Sequence, residues 1–201
     1  AFLPAGFPIA LDDMPFQQDV AKAKALLAQA GVPDGFEIAL DHTSGPPHAD
    51  IAQAIQANLA SVGIKVTLVA AEARQVITKT RARQHQMAIV RWGADYFDPH
   101  TNAEAFSMND DNSENARNRT IAWRSSWLIP ELTQRVRANV LQADSEKRTA
   151  EYLELQRIHQ QTSPFVIMLQ EIEVAVARAG VTGLDLGPMS DRTSWAGIAK
   201  A

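Results

Sequence analysis

A strand–helix–strand pattern between Phe36 and Ala70 constrains the fold of this chain more than any other feature. Phe36, Ile38 and Leu40 alternate with other residues as a β-strand requires, and residues 64–70 (IKVTLVA) repeat that alternation. Between them, ADIAQAIQANLASVG carries one apolar stripe at helical spacing and ends at a glycine. Two strands joined through one helix predict a βαβ unit with parallel strands and a right-handed crossover.

The remaining chain shows helical and strand patterns in alternation. Apolar spacing predicts helices over residues 19–30, 72–84, 130–142 and 145–161. Strands are expected at residues 87–92 and within residues 163–180, with a long irregular tract from Gly93 to about Leu128. A loop of that length in a compact domain is usually functional or disordered.

Composition excludes several classes of function. Of the 201 residues, 46% are hydrophobic and 21% are charged, which is typical of a globular domain. The net charge of −4 and the lack of a basic stripe argue against nucleic-acid binding, because phosphate backbones require clustered Lys and Arg. No cysteine is present, which excludes disulfides and thiolate chemistry. The opening segment, AFLPAGFPIA, lacks the basic start of a signal peptide.

Motifs for catalysis or for metal and cofactor binding are weak. The sequence contains no GxSxG, HExxH or GxGxxG pattern. His42 and His48 flank a Pro-Pro turn but lack a spaced third ligand, so we expect neither a metal site nor a cofactor. Trp123 and Trp127 lie in the irregular tract, where they either anchor the loop to the core or line a pocket.

The stretch RWGADYFDP, residues 91–99, is the strongest candidate for a ligand site. It places Trp92, Asp95, Tyr96 and Asp98 around one glycine, directly after the predicted strand. Ligands of open α/β sheets bind beyond the carboxyl ends of the strands. An aromatic ring beside a carboxylate suits an organic cation, because both groups attract positive charge. The alternative is a turn with solvated acids.

Four segments resemble extracytoplasmic solute-binding proteins of ABC transporters, family 5, the peptide- and nickel-binding group. They are DVAKAKALLAQAGVPDGFEIAL (19–40), IAQAIQANLASVGIKVTLVA (51–70), RWGADYFDP (91–99) and EYLELQRIHQQTSPFVIML (151–169), in the order that the family shows. The resemblance implies an α/β lobe of the type II periplasmic-binding-protein kind, with a mixed sheet flanked by helices and containing the βαβ unit. It divides the chain into an irregular opening (1–18), a ligand-binding lobe (19–178) and a tail (179–201) that returns toward a missing first lobe.

The same resemblance implies a function in transport rather than catalysis. Such a protein lies in the periplasm, closes on a short peptide or similar small solute, and docks on the permease subunits of an ABC importer. In peptide-binding members the Asp of this motif anchors the peptide ammonium group, and that position is Asp95 here, with Trp92 and Tyr96 beside it. The tract TIAWRSSWLIPEL (120–132) departs from the family pattern, so Trp123 and Trp127 leave peptide, opine, sugar and metal-chelate ligands open.

Two further classes of function remain open. One is a hydrolase-type enzyme domain in which Asp95 and Asp98 act as an acid–base pair on a sugar or peptide. The other is a stand-alone interaction domain, which requires a large exposed apolar patch.

Overall fold

The computed structural model of the chain describes residues 1–13, 15–187, 189 and 193–200. The chain divides into two compact units: one comprises residues 14–91, and the other residues 1–13 with residues 92–201. Each unit has its own cluster of buried apolar side chains. None of the helices among the described residues combines the length and apolarity needed to cross a bilayer. The predicted lobe boundaries, residues 19–178, stay a prediction.

The unit of residues 14–91 contains the predicted βαβ unit. Its elements are α1 (Val20–Gln29), β1 (Glu37–Thr43), α2 (His48–Ala60), β2 (Lys65–Ala71), α3 (Ala73–Arg81) and β3 (Met87–Ala88). The sheet order is β2-β1-β3, and both pairings are parallel, with Leu40 opposite Leu68 and Met87. The parallel strand–helix–strand prediction is therefore confirmed, as are the two helices that flank it.

The two faces of β1 meet different helices. Leu40 is buried in a cluster with Ala52 of α2 and Val66 of β2. Its neighbour Asp41 points to the other face, because successive side chains of a strand alternate, and there it meets Lys79 of α3. The strands consequently carry helices on both faces, as buried parallel sheets do.

Two glycines set the close approach of the turns that precede β1 and β2. Gly35 and Gly63 have φ angles of +83° and +94°. A Cβ atom on Gly35 would lie 2.1 Å from the carbonyl oxygen of Gly63, and one on Gly63 would lie 2.7 Å from that of Asp34. Both positions therefore require glycine for the backbone conformation and for the contact.

The second unit is mainly helical. It contains α4 (His100–Ser107), α5 (Ile121–Arg124), α6 (Pro130–Val140) and α7 (Ser145–Thr162), followed by β4 (Val181–Thr182) and β5 (Ala199–Lys200), which pair antiparallel. The sequence-predicted helices over 130–142 and 145–161 are confirmed. Asp144 caps α7 by accepting hydrogen bonds from the backbone N–H groups of Glu146 and Lys147. Val136, Tyr152 and Leu155 are completely buried between these helices and form the centre of the core.

Three predictions about local structure are wrong. The strand expected at 87–92 ends at Ala88, so Trp92 does not end it. The tract from Gly93 to Leu128 is not irregular throughout, since it contains α4 and α5, whose short patterns are hidden among polar residues. Residues 163–180 form no strand, although their apolar side chains alternate, because a strand requires a neighbouring strand to pair with.

Candidate ligand-binding site

The candidate site lies in the segment Trp92–Pro99, here called the aromatic–acidic corner, which leads directly into α4. Trp92, Asp95 and Tyr96 are exposed, with 37% of Trp92 and 41% of Tyr96 accessible. Pro99 is buried and precedes the first residue of the helix. The corner thus presents three aromatic side chains, those of Trp92, Tyr96 and Phe97, and the carboxylate of Asp95 to the surface, while Pro99 is fixed in the fold.

The first turn of α4 holds the corner through three consecutive residues. The backbone N–H of His100 donates to Oδ1 of Asp98 over 2.8 Å. The hydroxyl of Thr101 accepts a hydrogen bond from the N–H of Asp95 over 3.1 Å. The amide oxygen of Asn102 accepts one from the Trp92 indole over 3.1 Å. One helical turn therefore holds Trp92, Asp95 and Asp98 in a loop that has no regular structure of its own.

Asp98 is committed to an ion pair within the fold. Nη2 of Arg148, on α7, lies 2.7 Å and 2.9 Å from its two carboxylate oxygens. Burial opposes ionisation of Asp98, but hydrogen bonds from Arg148 and from the His100 N–H outweigh it and hold the pKa below its usual value. A carboxylate with a lowered pKa and a bound guanidinium is a poor general base.

The surroundings of Tyr96 are electrically negative. Burial is the main reason that the pKa of Tyr96 lies above its ordinary value, and the negative charges of Glu104, Asp98 and Asp95 raise it further. Burial disfavours any charge, whereas the three carboxylates favour a cation, and Arg148 opposes them. Of these acids Asp95 is exposed, while the side chains of Glu104 and Asp98 are 47% and 37% exposed.

A buried network lies beneath the corner. Nδ1 of His100 is 3.2 Å from the hydroxyl of Tyr152, which is completely buried. Burial raises the pKa of Tyr152 to about 12, and burial likewise lowers the pKa of His100. Both groups are therefore neutral at pH 7, and this part of the unit adds a fixed hydrogen bond rather than a charge.

Trp123 and Trp127, the two tryptophans of the tract predicted to be irregular, make their contacts outside the aromatic–acidic corner. Trp123 is 1% exposed, donates its indole N–H to the carbonyl of Ser113, and lies under the guanidinium of Arg119. Trp127 is half-buried and contacts the rings of His159 and Phe165 edge-on, at 5.7 Å and 6.1 Å. These contacts support the loop-anchoring interpretation for Trp123 and place Trp127 at the margin of the core.

Other candidate groups lie elsewhere. His42 is buried in β1, with Nδ1 3.0 Å from the carbonyl of Thr43, and His48 begins α2. Within the described part of the chain, no three His, Asp or Glu side chains come together in an arrangement that holds a metal. Two shallow surface hollows, of about 350 Å³ around Thr149 and about 420 Å³ around Arg117, include no residue of the corner.

The site depends on residues that sequence reasoning missed. His100, Thr101 and Asn102 follow Asp-Pro, a pair that commonly begins a helix, so polar residues there were detectable as a first helical turn. Arg148 is different, because it lies 50 residues from Asp98 and belongs to a separate helix. No local pattern connects those two positions.

The fold defines a class of protein. The chain resembles the ABC transporter-associated periplasmic binding protein DppA from Helicobacter pylori in complex with peptide STSA, with a TM-score of 0.64, 28% identity, and coverage of 79% of this chain and 30% of that one. It also resembles the binding protein AgaA from A. tumefaciens R10 in complex with agropinic acid, with a TM-score of 0.65, 25% identity, and coverage of 78% and 31%. These neighbours are type II periplasmic binding proteins, and the predicted fold class is confirmed.

The family follows from the sequence comparison. The family model described as "Bacterial extracellular solute-binding proteins, family 5 Middle" matches residues 1–114, and the chain belongs to this family. Di/tripeptide-binding protein 2 of Pseudomonas aeruginosa (strain UCBPP-PA14) is 30% identical over 191 residues, which are 93% of this chain and 34% of that protein. The chain therefore spans about a third of the length of this relative.

Proposed function

We propose that this chain forms part of the solute receptor of an ABC importer, which captures short peptides or similar small solutes and delivers them to a membrane permease. Membership of solute-binding family 5 supports the class of function. The observation that carries the assignment to a site is Asp95, an exposed acid in the same segment as Trp92 and Tyr96, whose backbone N–H is held by the first turn of α4.

Asp95 supplies the charge in this proposal. Its carboxylate accepts hydrogen bonds from the ammonium group of a peptide, and the faces of Trp92 and Tyr96 attract the same cation and pack against the peptide backbone. Trp123 and Trp127 have structural roles in this proposal and do not contact the ligand. Trp123 anchors the tract before α6 to the core, and Trp127 packs against the rings of His159 and Phe165.

Affinity must come mostly from contacts other than Asp95. One charge-assisted hydrogen bond contributes about 1.5–3 kcal/mol net, whereas a micromolar ligand requires about 8 kcal/mol in total. The corner lies open on the surface of its unit, so enclosure by the rest of a longer receptor has to supply the difference. We therefore expect the 201-residue chain alone to bind a peptide more weakly than micromolar.

The ligand class is proposed from the relatives. One similar structure carries the peptide STSA, and one similar protein is named for di- and tripeptides. AgaA carries agropinic acid instead, so an opine is the second candidate. A peptide with a free amino terminus is favoured here because the three carboxylates around Tyr96 outnumber the one guanidinium, that of Arg148, and a net negative surface repels an acidic ligand.

The proposal includes no catalysis. The acid–base pair considered for Asp95 and Asp98 lacks support, because Asp98 is held by Arg148 and by a backbone N–H and keeps a lowered pKa. We place the protein in the periplasm, with the permease subunits and a further lobe of the same receptor as its partners.

Native mass spectrometry of the complete parent protein, purified without denaturation, tests the ligand class. A ladder of short-peptide masses supports the proposal, and a single opine-like mass replaces it with the second candidate. Asp95→Asn is then compared with Glu131→Gln, which changes an exposed acid of α6 in the same unit. Asp95→Asn should weaken peptide binding about tenfold or more, while Glu131→Gln leaves it unchanged. Equal affinities of both variants would exclude Asp95 as the anchor.

A further inference from the structure

We propose that Arg148 is a positioning residue that sets the geometry of the aromatic–acidic corner and thereby tunes its preference for a free ammonium group. This inference rests on the proposed function, in which Asp95 receives that group. It concerns a residue on α7, 50 positions away from the carboxylate that it holds.

The contact between Arg148 and Asp98 is directional. One nitrogen of the guanidinium lies 2.7 Å and 2.9 Å from the two oxygens of the carboxylate. The guanidinium carbon lies 4.9 Å from the centre of the Tyr152 ring, and Tyr152 is completely buried. Stacking on a fixed ring restricts the guanidinium plane, so Arg148 holds Asp98 in one orientation rather than as a mobile surface pair.

The position of Asp98 is transmitted to Asp95 through a few atoms. Asp98 also accepts from the N–H of His100, and its own N–H donates to the carbonyl of Tyr96 over 2.9 Å. The N–H of Asp95 donates to the Thr101 hydroxyl one residue further along α4. Asp95 and Asp98 are thus the two ends of a short turn, and each end is hydrogen-bonded to α4. A displacement of Asp98 therefore also shifts Asp95.

Arg148 also separates the two carboxylates by role. Its guanidinium binds Asp98, whereas Asp95, three residues away, is the more exposed of the two acids. If Arg148 is removed, Asp98 becomes a second acceptor and the turn loses its tie to α7. We expect the site to retain negative charge but to lose the geometry that distinguishes an ammonium from a neutral amide.

The matched control is Arg135 on α6, because it forms an ion pair with Glu151, which, like Arg148, lies on α7. Nε of Arg135 lies 2.6 Å from a carboxylate oxygen of Glu151, and the two side chains are 37% and 31% exposed. The corresponding values are 27% and 37% for Arg148 and Asp98. Arg135→Met therefore removes an ion pair of similar burial that involves α7 but no residue of the corner.

The experiment measures the affinity of the complete parent protein for dialanine and for N-acetyl-dialanine by calorimetry. The readout is the ratio of the two affinities, which a general loss of stability does not change. We expect the unaltered protein and Arg135→Met to prefer the free amine equally, and Arg148→Met to reduce that preference about tenfold. Arg148→Lys keeps the charge without the planar fork and should fall between them. This conservative variant carries the test if Arg148→Met does not fold.

The outcomes separate the two proposals. A normal preference in Arg148→Met and Arg148→Lys overturns the positioning role and leaves the proposed function intact. The absence of any preference in the unaltered protein overturns the ammonium assignment and, with it, this inference. An equal loss of preference in Arg135→Met shows that the effect is not specific to the Arg148–Asp98 pair and also overturns the positioning role.

Discussion

Nζ of Lys79 lies 2.7 Å and 2.8 Å from the two carboxylate oxygens of Asp41, whose side chain is 3% exposed. The pair joins α3 to the middle strand of the parallel sheet. A charge at the centre of a sheet is tolerated only when a partner neutralises it, because desolvating an isolated carboxylate is costly. Lys79 therefore neutralises the carboxylate that this face of the sheet buries.

The first prediction concerns this pair. Lys79→Met should lower the free energy of unfolding by about 2 kcal/mol, less than for a fully buried pair because Lys79 is partly exposed. Amide hydrogen exchange of β1 measures the change locally. Lys65→Met is the control, since it removes an ion pair with Glu37 whose side chains are 79% and 76% exposed, and it should have no measurable effect. Equal losses in both variants would contradict the prediction.

The second prediction concerns Gly63. Gly63→Ala should destabilise the sheet by more than about 2 kcal/mol, because the new methyl group meets the Asp34 carbonyl at 2.7 Å in a backbone conformation that disfavours side chains. Gly31→Ala, at φ +80° with no atom within 4 Å, should cost only about 1 kcal/mol. Urea unfolding followed by far-ultraviolet circular dichroism compares them. If both variants lose the same unfolding free energy, the contact between position 63 and the Asp34 carbonyl does not contribute to the cost.

The third prediction is a pH dependence set by His159. Burial, with a smaller effect from the positive N-terminus, lowers the pKa of this histidine from 6.5 to about 4. The unfolded chain therefore binds its proton first, and stability is lost as the pH falls from about 6.5 towards about 4 and is constant above that window. The loss has an upper bound of about 3 kcal/mol.

Tryptophan fluorescence measures this effect in one unit, because all four tryptophans lie in the unit of residues 1–13 and 92–201. His159→Phe is the test variant, since Nε2 of His159 has no hydrogen-bond partner and the ring already lies among Phe2, Phe106 and Phe165. It should flatten the profile between these pH values. A residual slope from His100, whose pKa is also lowered, remains in both proteins. An unchanged slope in the variant would refute the assignment.

The fourth prediction concerns three apolar residues, Ile172, Val174 and Val176, which are between 80% and 93% exposed on a segment without regular secondary structure. Ile172→Lys should leave the unfolding free energy of the isolated chain unchanged and reduce its self-association, because exposed apolar side chains promote association. Light scattering during size-exclusion chromatography provides the measurement. Leu141→Lys, at a helix end and 83% exposed, should change the molar mass less. A fully monomeric unaltered chain would disprove this prediction.

Local pattern was sufficient wherever neighbouring residues decide the structure. The alternation around Leu40, the apolar stripe of α2 and the apolar spacing of α7 are short-range features, and the corresponding elements formed as predicted. The strand predicted from local alternation within residues 163–180 is absent, because a strand forms only beside a second strand, and the sequence of the segment does not determine whether one is present.

The site divides in the same way. Sequence alone determined that Trp92, Asp95 and Tyr96 stand together in one corner, because their spacing is local and their chemistry favours a cation. Only the tertiary structure decided that Arg148 forms an ion pair with Asp98, that Thr101 of α4 binds the backbone N–H of Asp95, and that Trp123 is buried. The first depends on packing between residues 50 positions apart in the sequence. The other two depend on the direction in which backbone and side-chain groups point after packing, which the local pattern does not encode.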